Sequence, residues 1–194
     1  MIAADAAFFG FEGEAEVGGL TSLVQTDSGL TLTISRSTGL TFGIQDVQGF
    51  VPSWGNRALS PFANSSANDY FVGNFSSAVS YVTLRGGDGG GDPDILELEA
   101  YSGLDGTGTL IDLDSADYGT NGFPADIGVS VAGAGIQSIR FRGGSGHDPN
   151  WQYPNSMYID NITTTPVPEP VTLGLGIGAL AAAARRRRGS AAGI

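Results

Sequence analysis

Short stretches in which apolar and polar residues alternate recur along the chain and constrain its fold more than any other feature. The clearest stretch runs from Ile95 to Tyr101 and reads ILELEAY. Its period of two residues predicts a strand with Leu96 and Leu98 toward a core and the two glutamates toward solvent. About ten such segments are separated by turn-forming residues, and none before the C-terminal tail has a helical period. The pattern predicts an all-β fold, an antiparallel β-sandwich, and we favour a jelly-roll topology.

The other strands are predicted with less regular patterns. Leu30, Leu32 and Ile34 alternate with threonines and should face the core, as should Val82 and Leu84. We predict a loop over residues 49–67 and a turn at 133–135, where two glycines flank an alanine. The predicted strands, besides 95–101, are 8–12, 30–34, 41–47, 70–75, 78–85, 109–113, 127–131, 139–142 and 156–163.

The charge balance excludes one large class of partners. The 194 residues include no cysteine and no lysine, and four of the nine arginines are consecutive near the C-terminus. Elsewhere five arginines stand against 20 acidic residues, a formal net charge of −15. Binding of nucleic acid depends on cations that neutralise phosphates, so we expect no nucleic-acid partner. An acidic surface is compatible with divalent cations.

The C-terminal tail combines three segments in a fixed order. A proline-rich spacer precedes an uncharged run of 14 residues, 171–184, and four arginines follow. As a helix that run would be about 21 Å long, shorter than the roughly 30 Å of a bilayer core. Because basic flanks remain cytoplasmic, the tail predicts a short transmembrane helix with the rest of the chain outside. The membrane-stop residues are Arg185, Arg186, Arg187 and Arg188.

The tail resembles the PEP-CTERM sorting signal of Gram-negative bacteria. The match consists of Val167, Pro168, Glu169 and Pro170, followed at once by the apolar run and the arginines. The resemblance implies export, transient anchoring in the inner membrane and cleavage near this motif by an exosortase. The processed protein would then reside at the cell surface or in the extracellular matrix. We therefore divide the chain into a β-sandwich ectodomain, 7–164, and a sorting signal, 165–194.

The N-terminus lacks a feature that export requires. Residues 1–6 contain neither the basic start nor the apolar stretch of a signal peptide, although Ala4-Asp5-Ala6 fits a small-x-small cleavage pattern. We predict that a leader precedes Met1 in the genomic frame.

The ends of the ectodomain resemble those of carbohydrate-binding jelly-roll modules. The similarity rests on Gly10-Phe11-Glu12 and on Met157-Tyr158-Ile159-Asp160-Asn161-Ile162. It implies that the first and last strands are neighbours, and that Glu12 and Asp160 help bind a structural Ca²⁺. The alternative is a solvated Glu12 and an Asp160 that caps a turn. A second acidic group, Asp88, Asp92 and Asp94, lacks the spacing of known Ca²⁺ loops, and we favour a plain flexible turn there.

A glycan-binding surface is the second candidate site. Aromatic rings can stack on sugars while polar side chains fix their orientation, and several loops of this chain carry such residues. The alternative, which we favour, is that these rings close the ends of the sandwich. The candidate residues are Trp54, Arg57, Tyr101, Trp151 and Tyr153.

Catalysis is predicted to be absent. Glu97 and Glu99 would share a face about 6.5–7 Å apart, a spacing that suits glycoside hydrolysis. Jelly-roll endoglucanases carry Glu-x-Asp-x-x-Glu on such a strand, whereas this chain reads ELEAYS and lacks the final glutamate. His147 has no evident nucleophile partner. We expect a non-catalytic surface protein that binds exopolysaccharide, with a glycan-active hydrolase and a purely structural matrix protein as alternatives.

Overall fold

In the part of the chain that the structure describes, all regular secondary structure is β-strand. A computed structural model describes residues 5–48, 55–61, 69–87, 94–119, 127–144 and 157–167. All of them belong to one compact unit, Ala4–Val167. The eleven strands found there are β1 (Ala7–Phe9), β2 (Val17–Leu20), β3 (Ser22–Asp27), β4 (Leu30–Arg36), β5 (Phe42–Asp46), β6 (Arg57–Ser60), β7 (Phe71–Gly87), β8 (Asp94–Tyr101), β9 (Leu110–Gly119), β10 (Ile127–Gly144) and β11 (Tyr158–Pro166).

Two long strands, β7 and β10, join the two layers of the sandwich. The beginning of β7 pairs with β4 and with the end of β10, which continues to β8 and β9; we call this set of strands the front layer. The end of β7 pairs with β11 and with the beginning of β10, and β6, β5 and β2 extend this back layer. Every pairing is antiparallel, so the all-β, antiparallel prediction is confirmed.

Alternate residues of both layers fill a single core. Leu32 and Leu98 of the front layer and Leu84 and Ile159 of the back layer are fully buried in one hydrophobic cluster. Phe71 of the front layer stacks on Phe141 with ring centroids 5.3 Å apart, and it meets Phe42 of the back layer edge-on at 5.6 Å. These contacts hold the layers together, because buried aromatic rings contribute both area and directional ring packing.

The expected contact between the two ends of the ectodomain is confirmed. β1 pairs with β11, with Ala7 opposite Thr164 and Phe9 opposite Ile162. The alternation predicted for β4 and β8 is also confirmed, since Leu30, Leu32, Ile34, Leu96, Leu98 and Ala100 are buried.

Several strand predictions were wrong. The loop predicted over 49–67 contains β6, and β2 and β3 were not predicted at all. The turn predicted at 133–135 is a bulge inside β10, where the register with β7 shifts between Ala132 and Ser138. Gly135 adopts a φ of 82° there, a conformation that glycine tolerates and that lets the strand bend without reversing.

The bent part of β10 is protected at its edge by carboxylates. Asp112 and Asp114 of β9 each accept a hydrogen bond from a backbone N–H of β10, at Ala132 (2.9 Å) and Ser130 (2.8 Å). A strand edge with free N–H groups invites pairing with other chains, and these side chains fill two of those positions.

The predicted C-terminal helix falls within residues 168–194, which lie outside the described residues. Among the residues that are described, no helix has the length and apolar character needed to cross a membrane.

Candidate functional site

The two carboxylates predicted to bind Ca²⁺ lie where the chain's two ends meet, Glu12 in the turn after β1 and Asp160 on β11, which pairs with β1. Asp160 lies on β11 and is buried, with a relative exposure of 1%. Burial raises the pKa of Asp160 to about 7; the backbone N–H groups of Asn161 and Phe11 oppose this shift, and the charge of Glu12 adds to it. The negative charge of Glu12 therefore acts on the carboxylate of Asp160, although 148 positions separate the two residues in the chain.

Glu12 is held by the turn that precedes β6. Its Oε1 accepts hydrogen bonds from the backbone N–H groups of Asn56 (2.6 Å) and Arg57 (2.9 Å). Gly55 has a φ of 79°, and a Cβ at that position would collide with the Glu12 carboxylate. Glycine is favoured here because other residues rarely adopt this positive φ, and a Cβ would also displace the Glu12 carboxylate.

One atom of this site lacks a partner. Asp160 Oδ1 is buried and, within the described part of the chain, forms no hydrogen bond. A buried oxygen of this kind costs free energy unless something compensates it. Protonation of the carboxylate or a bound cation would each provide that compensation. No group of three or more acidic or histidine side chains suited to a metal occurs among the described residues. Glu12 and Asp160 supply carboxylate oxygens, the ligand type that Ca²⁺ takes, whereas a complete Ca²⁺ site requires six to eight oxygens.

A second candidate site lies on the outer face of the front layer. On β8, Glu97, Glu99 and Tyr101 point outward and are half-buried, and on the neighbouring strand β10 Arg140 and Arg142 do the same. The register places Arg142 opposite Glu97 and Arg140 opposite Glu99. We call these five residues together with Tyr70 the front face.

The two arginines of the front face have different surroundings. Arg142 forms an ion pair with Glu97, and its guanidinium lies 4.6 Å from the centroid of the Tyr70 ring. The Arg140 guanidinium lies 5.1 Å from the ring of Tyr101 and 5.9 Å from that of Tyr70. These distances are typical of cation–π contacts, which favour Arg and aromatic faces. The two rings and two guanidinium groups thus form one continuous polar and aromatic surface.

Tyr101 is further fixed by its hydroxyl group. The hydroxyl donates a hydrogen bond of 2.6 Å to Glu99 Oε2. Burial together with Glu99 raises the pKa of Tyr101 to about 12. The ring is therefore held by contacts at its face and at its hydroxyl.

The loop after β8 supports the front face from one side. Asn74 and Asp105 exchange two hydrogen bonds, of 2.7 and 2.8 Å, and the backbone N–H of Gly106 donates to Ser138 Oγ at 2.9 Å. Gly106 has a φ of 64°, and a Cβ there would collide with the side chain of Arg140. The loop consequently packs directly on Arg140 and limits its rotamers.

A buried ion pair positions the other ring. Arg36 and Asp69, both inaccessible, form a salt bridge, and Asp69 Oδ1 also accepts a hydrogen bond of 2.7 Å from the Thr38 hydroxyl. Desolvation lowers the pKa of Arg36 to about 10. Next to this pair, Ser37 and Tyr70 exchange hydrogen bonds of 2.9 and 3.0 Å, which fix the backbone that carries the ring.

The structure separates the residues that the sequence grouped as glycan-binding. Tyr101 belongs to the front face, whereas Arg57 lies on β6 of the back layer and pairs with Asp46 at 3.0 Å. The remaining three, Trp54, Trp151 and Tyr153, lie outside the described residues, as do His147 and the processing motif from Pro168.

Sequence reasoning missed Tyr70, Arg140 and Arg142. The alternation of Arg140 and Arg142 with Ile139 and Phe141 showed that both arginines face outward. Their partners depend on the register between β8 and β10, which no local pattern provides.

Comparisons with known proteins identify no family. No family model matches the chain, and no curated protein matches it. Among solved structures, the chain is similar to a cleaved adhesin domain of Lys-gingipain from Porphyromonas gingivalis, with 11% identity and a TM-score of 0.46 over 84% of this chain and 99% of that one. Similarity at this level transfers no function.

Proposed function

We propose that this protein is exported to the cell surface or extracellular matrix and binds exopolysaccharide or another surface glycan there without catalysis. The observation that carries the proposal is the front face, where Tyr70 and Tyr101 both contact the guanidinium of Arg140. Oriented rings with charged and hydrogen-bonding groups between them suit a sugar, which offers apolar ring faces and hydroxyl groups at its edges. Of the two glycan-binding candidates that the structure describes, Tyr101 lies on this surface and Arg57 does not.

Glycan binding can be tested with a panel of neutral and acidic polysaccharides. The full chain and the variants Tyr70→Ala and Tyr101→Ala would be compared by biolayer interferometry. Tyr81→Ala is the matched control, since Tyr81 is an exposed tyrosine of the back layer. Each front-face variant should weaken binding about fivefold or more, and the control should not. Equal binding by all four proteins would contradict the proposal.

The two alternatives give different results in the same assay. A glycan-active hydrolase would release reducing ends, and Glu97→Gln or Glu99→Gln would stop the release. A purely structural matrix protein would retain none of the polysaccharides.

Export and processing are supported by the tail, in which the motif beginning at Val167 precedes the apolar run and the four arginines. We expect an exosortase to cut near Pro168-Glu169-Pro170 after the tail has been held in the inner membrane. Mass spectrometry of the natural product should find a C-terminus near this motif in the surface fraction. An intact chain recovered from the cytosol would contradict this part of the proposal.

We further propose that Glu12 and Asp160 hold a structural Ca²⁺. The support is the buried, unpartnered Asp160 Oδ1 and the second carboxylate near it. The ion would join β11 to the turn after β1, because Glu12 belongs to that turn and Asp160 to β11.

A further inference from the structure

The front face contains two Arg–Glu pairs that stand opposite each other on β10 and β8. One pair forms an ion pair and the other does not. Arg142 and Glu97 form an ion pair. Arg140 and Glu99 also stand opposite each other, but Glu99 accepts a hydrogen bond from the Tyr101 hydroxyl instead. Among the described residues, no carboxylate lies within ion-pairing distance of Arg140, and its buried Nε has no hydrogen-bond acceptor. Within the described ranges, the Arg140 guanidinium therefore has no ion-pair partner and its Nε has no hydrogen-bond acceptor.

Arg140 is also prevented from reaching an acceptor elsewhere. The backbone at Gly106 packs on its side chain, and the rings of Tyr70 and Tyr101 contact its guanidinium. Arg140 as a whole is only partly buried, although its Nε is inaccessible. A planar guanidinium that is held in place is suited to bind a carboxylate with two parallel hydrogen bonds.

We propose that the glycan bound by the front face is an acidic polysaccharide, and that Arg140 binds the carboxylate of one of its sugar residues. This inference rests on the proposed function and specifies the class of its ligand. Tyr70 and Tyr101 would pack against the sugar ring, while the ion pair of Arg142 with Glu97 leaves Arg140 as the cation available for the ligand.

The charge of the protein makes the proposal specific. The chain has a formal net charge of −11, so overall electrostatic repulsion opposes the retention of an acidic polymer. Binding would have to come from a local cation. Ca²⁺ could also bridge an acidic polymer to an acidic protein, but such bridging would not depend on Arg140.

The test compares polygalacturonate with its methyl-esterified form, which keeps the sugar chain and removes the charge. At constant Ca²⁺, we expect the wild-type full chain to bind polygalacturonate about tenfold or more tightly than the ester, since charge-assisted hydrogen bonds are the strong ones. This contrast needs no variant and does not depend on any substitution being tolerated by the fold.

Variants then locate the effect. Arg140→Gln should remove the preference for the free acid, and Arg140→Lys should restore only part of it because it cannot form the bidentate pair. Tyr81→Ala, in the back layer, is the control and should keep the preference. Circular dichroism would verify that each variant is folded.

The outcomes separate this inference from the proposed function. Equal binding of both polymers, lost in Tyr101→Ala and unchanged in Arg140→Gln, would overturn the acidic ligand and leave glycan binding intact. A preference for dextran sulfate over polygalacturonate would overturn the carboxylate assignment. Failure to bind any polysaccharide would overturn both.

Discussion

Arg140 and Glu99 stand directly opposite each other on neighbouring strands, and their side chains do not pair. The carboxylate of Glu99 is bound instead by the hydroxyl of Tyr101, two residues along the same strand. The Tyr101 hydroxyl thus engages the carboxylate that stands opposite Arg140 in the register. The neighbouring pair, Arg142 with Glu97, is the internal comparison, because there the cross-strand ion pair does form.

Removing that hydroxyl should therefore close the site. In Tyr101→Phe the ring remains, while Glu99 is free to turn toward Arg140. We expect the affinity for polygalacturonate to fall about two- to fivefold, the range that an exposed ion pair can contribute. Adding Glu99→Gln to this variant should restore binding. Isothermal titration calorimetry would measure the affinity of the single and the double variant for polygalacturonate. If both affinities equal that of the wild type, the Tyr101 hydroxyl does not control the availability of Arg140.

The buried ion pair near Tyr70 should dominate the stability of the front layer. Asp69→Asn leaves the inaccessible Arg36 guanidinium without its counter-charge, which typically costs about 3–5 kcal/mol. The free energy of unfolding can be measured with urea. Asp46→Asn, which breaks the partly exposed pair with Arg57, is the control and should have a much smaller effect. Similar losses in the two variants would contradict this ranking.

Removal of Ca²⁺ should destabilise the protein through Asp160. We expect the melting temperature to fall when EDTA is added and to recover with Ca²⁺. Asp160→Asn should abolish this response, and in EDTA it should melt at or above the wild type, because it removes a buried charge that lacks compensation. A wild-type melting temperature that is unchanged by EDTA would remove the ion from the proposal.

The same residue predicts how the metal-free protein responds to pH. The pKa of Asp160 is raised from 3.8 to about 7 in the folded state, so the folded chain binds a proton that the unfolded chain has lost. The contribution of Asp160 is therefore fully present below pH 4 and should be lost as pH rises to 7, by about 1.4 kcal/mol per pH unit.

This pH effect can be isolated by difference. Urea unfolding in EDTA at several pH values should show the free energy of unfolding of the wild type falling relative to that of Asp160→Asn. Saturating Ca²⁺ should cancel the difference at pH 7. Parallel curves in EDTA would mean that Asp160 titrates near its ordinary pKa.

The sequence alone determined the class of the fold and the sidedness of its best strands. In β4 and β8 the period of two residues separates buried leucines from half-buried threonines and glutamates, and each strand buries the predicted face. This succeeds because side chains alternate across a strand whatever its partner is. Glu12 and Asp160 were paired by resemblance to a family, since no local pattern joins positions so far apart.

Only the tertiary structure decided which strands continue, which pair and in what register. Gly133 and Gly135 predicted a turn, yet β10 runs through them because both of its halves find partners, one in each layer. The front face exists because the register sets Arg140 opposite Glu99 and the loop at Gly106 packs above it. Register is fixed by packing between distant segments, and that packing is a property of the folded chain as a whole.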